Sequence, residues 1–268
     1  MLIALAVGLA LYALLVGWLV INEDRLVYFP EQGPVPLPRG IGVNPVSLDA
    51  ADGVRLSAWV LAPMSDASRW ILVLHGNAGN LATPGRPEHD SQLWHLGLGV
   101  FALDYRGYGD SQGMPSESGL YADALAAWQY LTTVRQVPPG RIVIYGHSLG
   151  AAVAVQLATR VPAAALIIEG AFTSAPDRGA ELYPFIPVRL IARNRFPSLD
   201  RIRNLKMPLL VIHGRDDTTI PIAHGRRLFD AAPEPKSFLE VAGGHDDAYV
   251  VGASEYEEGI TRFLATLH

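Results

Sequence analysis

An α/β fold with a mostly parallel central sheet flanked by helices is what this sequence predicts, and three observations lead there. From Arg69 onward, short apolar runs alternate with helical stretches, the order that builds parallel sheets. One run, Ile142-Val143-Ile144, ends at Gly146-His147-Ser148-Leu149-Gly150 and passes straight into a small-residue helical stretch, Ala151 to Ala158. Strand, tight turn and helix are the context that makes G-x-S-x-G a nucleophile elbow. Finally, an irregular insertion, Ala171–Lys206, separates two predicted strands and is longer than an ordinary connection.

Ahead of this domain, Leu2–Ile21 is an apolar run with no charge. About 20 residues at ~1.5 Å each match the ~30 Å hydrocarbon core, so the segment reads as a single-pass transmembrane anchor. A cleaved signal peptide would want a basic start and small residues before the cleavage point; here no Lys or Arg precedes Arg25, and Trp18-Leu19-Val20-Ile21 is bulky. Arg25 and Arg39 follow the span, which leans toward a cytoplasmic catalytic domain while leaving the side of the membrane undetermined. Ala6, Ala10, Ala13 and Gly17 form a strip of small residues. Such a strip lets two helices approach, as in a homodimer through the membrane helix, although alanine-rich helices also show it by chance. Residues 22–45, with Pro30, Pro34, Pro36, Pro38 and Pro45, read as a stiff, extended connector.

The catalytic domain, 46–268, opens with a hairpin: Val46-Ser47-Leu48, a turn at Asp52-Gly53, then Val54 to Leu61, an antiparallel sheet edge. Core strands follow at Trp70–His75, Val100–Leu103, Ile142–Tyr145, Ala165–Ile168, Leu209–Ile212 and Ser237–Val241. After Ser116, Leu120, Ala124, Ala127, Trp128 and Leu131 share a helix face. Ser254 with Glu257 suggests a capping box, and Tyr256, Ile260, Phe263, Leu264 and Leu267 give the last helix its apolar stripe. An insertion after a strand's carboxyl end lies over the ligand crevice of a parallel sheet, so 171–206 reads as a short helical cap. Its apolar side chains Tyr183, Phe185, Ile186 and Phe196 are expected to form an acyl pocket. Pro184, Pro187 and Pro197 should keep the pocket wall short, favouring small to medium acyl chains.

The net charge of −5, without a long basic run, argues against a nucleic-acid partner, and the absence of cysteine removes disulfides, thiolate metal sites and cysteine nucleophiles. A serine at the elbow needs a base, and the base an orienting acid, arriving in chain order Ser, Asp or Glu, His. His213 abuts a strand end, His224 falls in a predicted helix and His268 is the last residue. His245, in the flexible Gly243-Gly244-His245 loop, is the base candidate. The acid should leave the loop after Leu209–Ile212, where Asp216 and Asp217 stand side by side. Asp246 and Asp247 read as exposed charges; with His245 they make a poor metal site, since adjacent residues rarely converge on one ion. The oxyanion needs two preorganised donors. The Leu149 N–H is one, and the Asn77 N–H in His75-Gly76-Asn77-Ala78-Gly79-Asn80 is the other.

In these motifs the chain resembles the α/β-hydrolase superfamily, and within it the BEM46-like serine hydrolases, from about Leu48 onward. The resemblance rests on HGNAGN at 75–80, DYRGYGDS at 104–111, GHSLG at 146–150, His213-Gly214-x-x-Asp217-x-x-x-Pro221 and Gly244-His245. It implies the α/β-hydrolase fold, and it selects Asp217, three beyond the glycine, over Asp216. It also implies that Ser111 belongs to a strand-end loop, not to a rival nucleophile, and that an N-terminal membrane segment is in keeping with the family. The expectation is a membrane-anchored, carboxylesterase-like hydrolase using Ser148, His245 and Asp217 without metal or organic cofactor, on a small-molecule acyl ester or a lipid. A thioesterase or peptidase would use the same groups. A non-catalytic membrane-tethered scaffold would be expected to have a broken triad.

Overall fold

The computed structural model describes residues 1–267; His268 lies outside the described residues. Eight strands make the main sheet: β1 (Asn44–Asp49), β2 (Arg55–Leu61), β3 (Trp70–Leu74), β4 (Gly99–Asp104), β5 (Ile142–His147), β6 (Ala165–Glu169), β7 (Leu209–Gly214) and β8 (Lys236–Val241). Their spatial order is β8-β7-β6-β5-β3-β4-β2-β1. The β1–β2 and β2–β4 pairs are antiparallel and every other neighbouring pair is parallel. The chain leaves β3 for β4 on one side and returns to β5 on the other. This reversal opens a crevice at the carboxyl ends of β3 and β5, the usual ligand position in such sheets.

The helices are α1 (Leu2–Ile21), α2 (Glu23–Val27), α3 (Arg86–His95), α4 (Glu117–Gln129), α5 (Leu149–Ala158), α6 (Ala175–Leu182), α7 (Val188–Ile191), α8 (Ser198–Ile202), α9 (Ile222–Ala231), α10 (Ala248–Val251) and α11 (Ala253–Ala265). Alternate strand residues feed two cores, one on each face of the sheet. Leu72, Leu74, Ile144 and Val211 pack with the apolar faces of α4, α5 and α9. Ile71, Val73, Val143 and Ile212 pack with Tyr256, Ile260 and Phe263 of α11. The Ser116 hydroxyl accepts the Gly119 N–H at 3.1 Å, so α4 starts on a side-chain cap.

Two local expectations need correction. Ser254 does not cap the last helix: α10 runs into α11, Gly252 stands before its first residue, and Ser254 Oγ bonds Glu258 at 3.2 Å. Glu257 is drawn away by Gln92, whose Nε2 donates to it at 2.8 Å. Nor is the connector 22–45 extended throughout. It contains α2, pairs Phe29–Pro30 in parallel with Ala78–Gly79, and bridges Gln32 to Gly109. The backbone groups that prolines leave unpaired within the segment find partners on the domain instead.

Candidate active site

Gly146 and Gly150 let β5 turn abruptly into α5: a Cβ on Gly146 would run into the Gly150 carbonyl, and one on Gly150 into the Leu74 carbonyl. Between them Ser148 holds φ 54° and ψ −116°, a sparsely populated conformation for a residue with a side chain. Its Oγ lies 2.9 Å from His245 Nε2, and His245 Nδ1 lies 2.7 Å from Asp217 Oδ2. Three residues separated by up to 97 positions thus form one hydrogen-bonded relay at the ends of β5, β7 and β8. Asp217 is buried, whereas its neighbour Asp216 points to solvent.

The electrostatics follow from these contacts. Burial alone would raise the Asp217 carboxyl. Hydrogen bonds from His213 and His245 and the Ile220 N–H, at 2.7 Å, outweigh it and hold Asp217 well below the usual carboxylate range. Burial would lower His245, but the hydrogen bond and charge of Asp217 reverse this and raise it. His147, beside it at a ring separation of 4.8 Å, is lowered by burial and by the charge of His245. His147 Nε2 donates to the His245 carbonyl at 2.8 Å, so this ring clamps the histidine loop from below. Gly170, at φ 55°, lies so close to the His245 ring that a Cβ there would approach it to 3.0 Å.

Leu149 is the first residue of α5, so its N–H belongs to the unsatisfied donors of a helix start. Asn77 lines the same cavity as Leu149 and Ser148. Its loop is held by two devices that no sequence pattern announces. Arg86 donates to the carbonyls of Gly76, Ala78 and Asn80, turning these oxygens toward α3. His75 Nε2 meets Asp104 Oδ1 at 3.1 Å, both buried, tying the loop to the end of β4. Ser111 Oγ donates to the Asp104 carbonyl at 2.8 Å and accepts the Ser57 N–H, a wholly structural use. His213 Nε2 donates to the Ile220 carbonyl at 2.8 Å and braces the Asp217 loop.

Donor atoms of His147, His245 and Asp246 lie within 4.8 Å of one another. Both His245 ring nitrogens are committed to Ser148 and Asp217, however, and His147 Nε2 to a carbonyl, so the set offers an ion little.

Of the four residues expected in the acyl pocket, Tyr183, Ile186 and Phe196 line a cavity that also contains Ser148. Phe185 does not. Tyr183 to Ile186 is a tight turn closed by the Ile186 N–H on the Tyr183 carbonyl, with Pro184 and Phe185 at its tip, so the Phe185 ring projects outward and is 88% exposed. The cavity measures about 970 Å³. Its far wall comes from an unexpected source, Leu19 and Val20 at the end of α1, with Leu26 and Val27 of α2.

α2 is fastened to the cap by Glu23. Its carboxylate accepts the backbone N–H groups of Arg193 and Asn194 at 2.8–2.9 Å, together with their side chains. Burial would raise this carboxyl, and those N–H groups hold it below its ordinary value. Asn77 Nδ2 donates to the Val27 carbonyl, so the segment that carries α2 touches both the cap and the loop after β3. Glu23→Ala is expected to cost about 2 kcal/mol of local stability, the scale of hydrogen bonds to a charged group. Limited proteolysis should read it as faster cleavage between residues 183 and 195; an unchanged rate would mean that the cap is held by its apolar contacts alone.

A family model described as the alpha/beta hydrolase fold matches residues 69–199. An uncharacterised protein of Mycobacterium tuberculosis is 42% identical over 250 residues, covering 91% of this chain and 87% of that one. Alpha/beta hydrolase domain-containing protein 17B of Xenopus laevis is 35% identical over 225 residues, 80% of this chain and 72% of its own length. The chain belongs to the α/β-hydrolase superfamily. Solved structures agree on the fold of this hydrolase. A Pyrococcus furiosus esterase superposes with a TM-score of 0.73 at 20% identity, covering 90% of this chain and 97% of its own. Est1E of Butyrivibrio proteoclasticus, with ferulic acid bound, gives 0.69 at 19% identity, covering 83% and 98%.

Proposed function

We propose that this α/β hydrolase is a membrane-anchored serine esterase. The observation that carries the reading is the Ser148–His245–Asp217 relay, with its serine strained at the start of α5. In the proposed cycle Ser148 Oγ attacks the acyl carbonyl while His245 Nε2 takes its proton. Asp217 holds the imidazole by Nδ1 and stabilises the imidazolium. The N–H groups of Leu149 and Asn77 receive the oxyanion. His245 returns the proton to the departing alcohol, and water, deprotonated by the same ring, then releases the acid from the acyl-serine. The esterase fold neighbours support this chemistry by analogy of fold. Hydrolysis rates across p-nitrophenyl esters of increasing acyl length, beside a thioester and a peptide amide, test the assignment. Ester turnover should exceed amide turnover; cleavage of the amide alone would make the protein a peptidase.

A pH profile adds a second check. His245 must be neutral to accept the serine proton, so kcat/KM should fall on the acid side as the ring protonates. Because Asp217 raises His245, that limb should lie above the ordinary histidine value of about 6.5. In Asp217→Asn the limb should move to lower pH. A limb that stays in place would mean that another group controls it.

The anchor reading rests on α1, 20 residues of mean hydropathy 2.5 with no buried residue. Removing residues 1–21 is expected to release the protein from membranes while leaving turnover of a soluble short-chain ester nearly unchanged: the cavity loses Leu19 and Val20, but Glu23 and the relay remain and a short acyl chain does not need that wall. Fractionation with N-terminal sequencing of the mature protein checks the anchor: a soluble product beginning near residue 22 would show a cleaved signal peptide instead.

A further inference from the structure

The cap carries an apolar face that the domain leaves uncovered. Leu182 to Ile191 holds a single charge, Arg189, in ten residues. Leu182, Tyr183, Phe185 and Leu190 are exposed by 53%, 61%, 88% and 86%. A contiguous exposed patch of this kind marks an interaction surface. Its position says which one. Tyr12 of α1 donates its hydroxyl to the Phe185 carbonyl at 2.8 Å, so the cap tip lies alongside the middle of the membrane helix. Tyr12 is nine residues before Ile21, about 14 Å along the axis from the helix end at ~1.5 Å per residue. A helix that crosses the ~30 Å core therefore carries the cap tip below the headgroups, by less than this where the helix tilts. The one charge, Arg189, is not left alone: its Nε donates to Asp177 of α6 at 3.1 Å, so it enters as half of an ion pair.

The cavity completes the picture. It runs from Ser148 to Leu19 and Val20, within about 3 Å of the end of α1 along its axis, where the hydrocarbon begins. Resting on the esterase reading above, we infer that the cap tip is immersed in the bilayer beside α1, and that the substrate is a long-chain acyl ester of a membrane lipid. Its chain passes from the hydrocarbon into the cavity between the cap and the end of the anchor, which brings the ester carbonyl to Ser148 without leaving the membrane. Short soluble esters reach the serine but gain nothing from this portal.

The chain has no cysteine, so a nitroxide can be placed at will in the full-length protein. Phe185→Cys and Leu190→Cys should be labelled in phosphatidylcholine vesicles, with Val134→Cys as control. Val134 is exposed near Arg135, which stacks on Trp70 at the opposite end of β3 from the site. Labels at 185 and 190 should be relaxed more by oxygen, which concentrates in hydrocarbon, than by a water-soluble nickel chelate, with the reverse at 134. Equal behaviour at all three positions would overturn the immersion. The substrate arm compares monooleoylglycerol in the same vesicles with soluble p-nitrophenyl butyrate. Phe185→Asp with Leu190→Asp should lower turnover of the lipid ester about tenfold or more, since charges enter hydrocarbon at high cost, and leave the butyrate rate unchanged. Equal loss on both substrates, or none on the lipid, would overturn entry through the bilayer. Failure to hydrolyse any ester would instead defeat the esterase reading, while the labels would still report the cap.

Discussion

Ser148→Ala should lower ester turnover by about 10⁶, the loss that follows when a serine–histidine pair acting as a unit is broken. The size comes from the arrangement. Ser148 Oγ is 2.9 Å from His245 Nε2, the base that takes its proton in the proposed cycle, and the strained turn lifts it clear of β5 and α5. Because the turn is set by Gly146 and Gly150, which the substitution leaves in place, the alanine protein should fold with unchanged circular dichroism. Relief of the positive φ at residue 148 would not restore the rate. A loss below about a hundredfold would move the nucleophile elsewhere.

Asp217→Asn should cost about 10⁴ in turnover, because an amide can present its NH₂ to His245 Nδ1 and leave the ring in the wrong tautomer. Asp216→Asn, on an exposed side chain in the same loop, should change the rate less than about threefold, the range expected of a surface substitution. The reverse ranking would mean that the carboxylate in contact with His245 is not the working one. The two variants differ by one position and preserve volume, so the comparison separates orientation of the ring from loop stability.

Much of this could be read in advance because short sequence signals coincide with strong steric demands. G-x-S-x-G at 146–150 admits few other structures once an apolar strand precedes it and a small-residue helix follows. The adjacent carboxylates were harder. Periodicity placed both on the loop after β7, and only the resemblance to the BEM46-like hydrolases, through His213-Gly214-x-x-Asp217, chose between them; in the structure Asp217 is buried and Asp216 exposed. The cap was legible as an insertion but not in detail. Prolines at 184 and 187 announce a turn without saying which ring faces inward, and Phe185 turned out to sit at its tip. Least legible were contacts between distant segments. Glu23 reaches Asn194 across 171 positions, and Leu19 and Val20 wall a cavity whose serine lies more than a hundred residues later. A glutamate after an apolar helix looks like a headgroup-level charge until the backbone it accepts from is brought to it.

The most direct test of the central claim is mass spectrometry of the wild-type protein after treatment with a fluorophosphonate. Reaction should be stoichiometric, with the adduct mapped to Ser148 alone and abolished in His245→Ala. Adduct on Ser111, whose hydroxyl is engaged with the Asp104 carbonyl, or on Ser174, which caps α6 through the Asp177 N–H, with Ser148 unmodified, would contradict it.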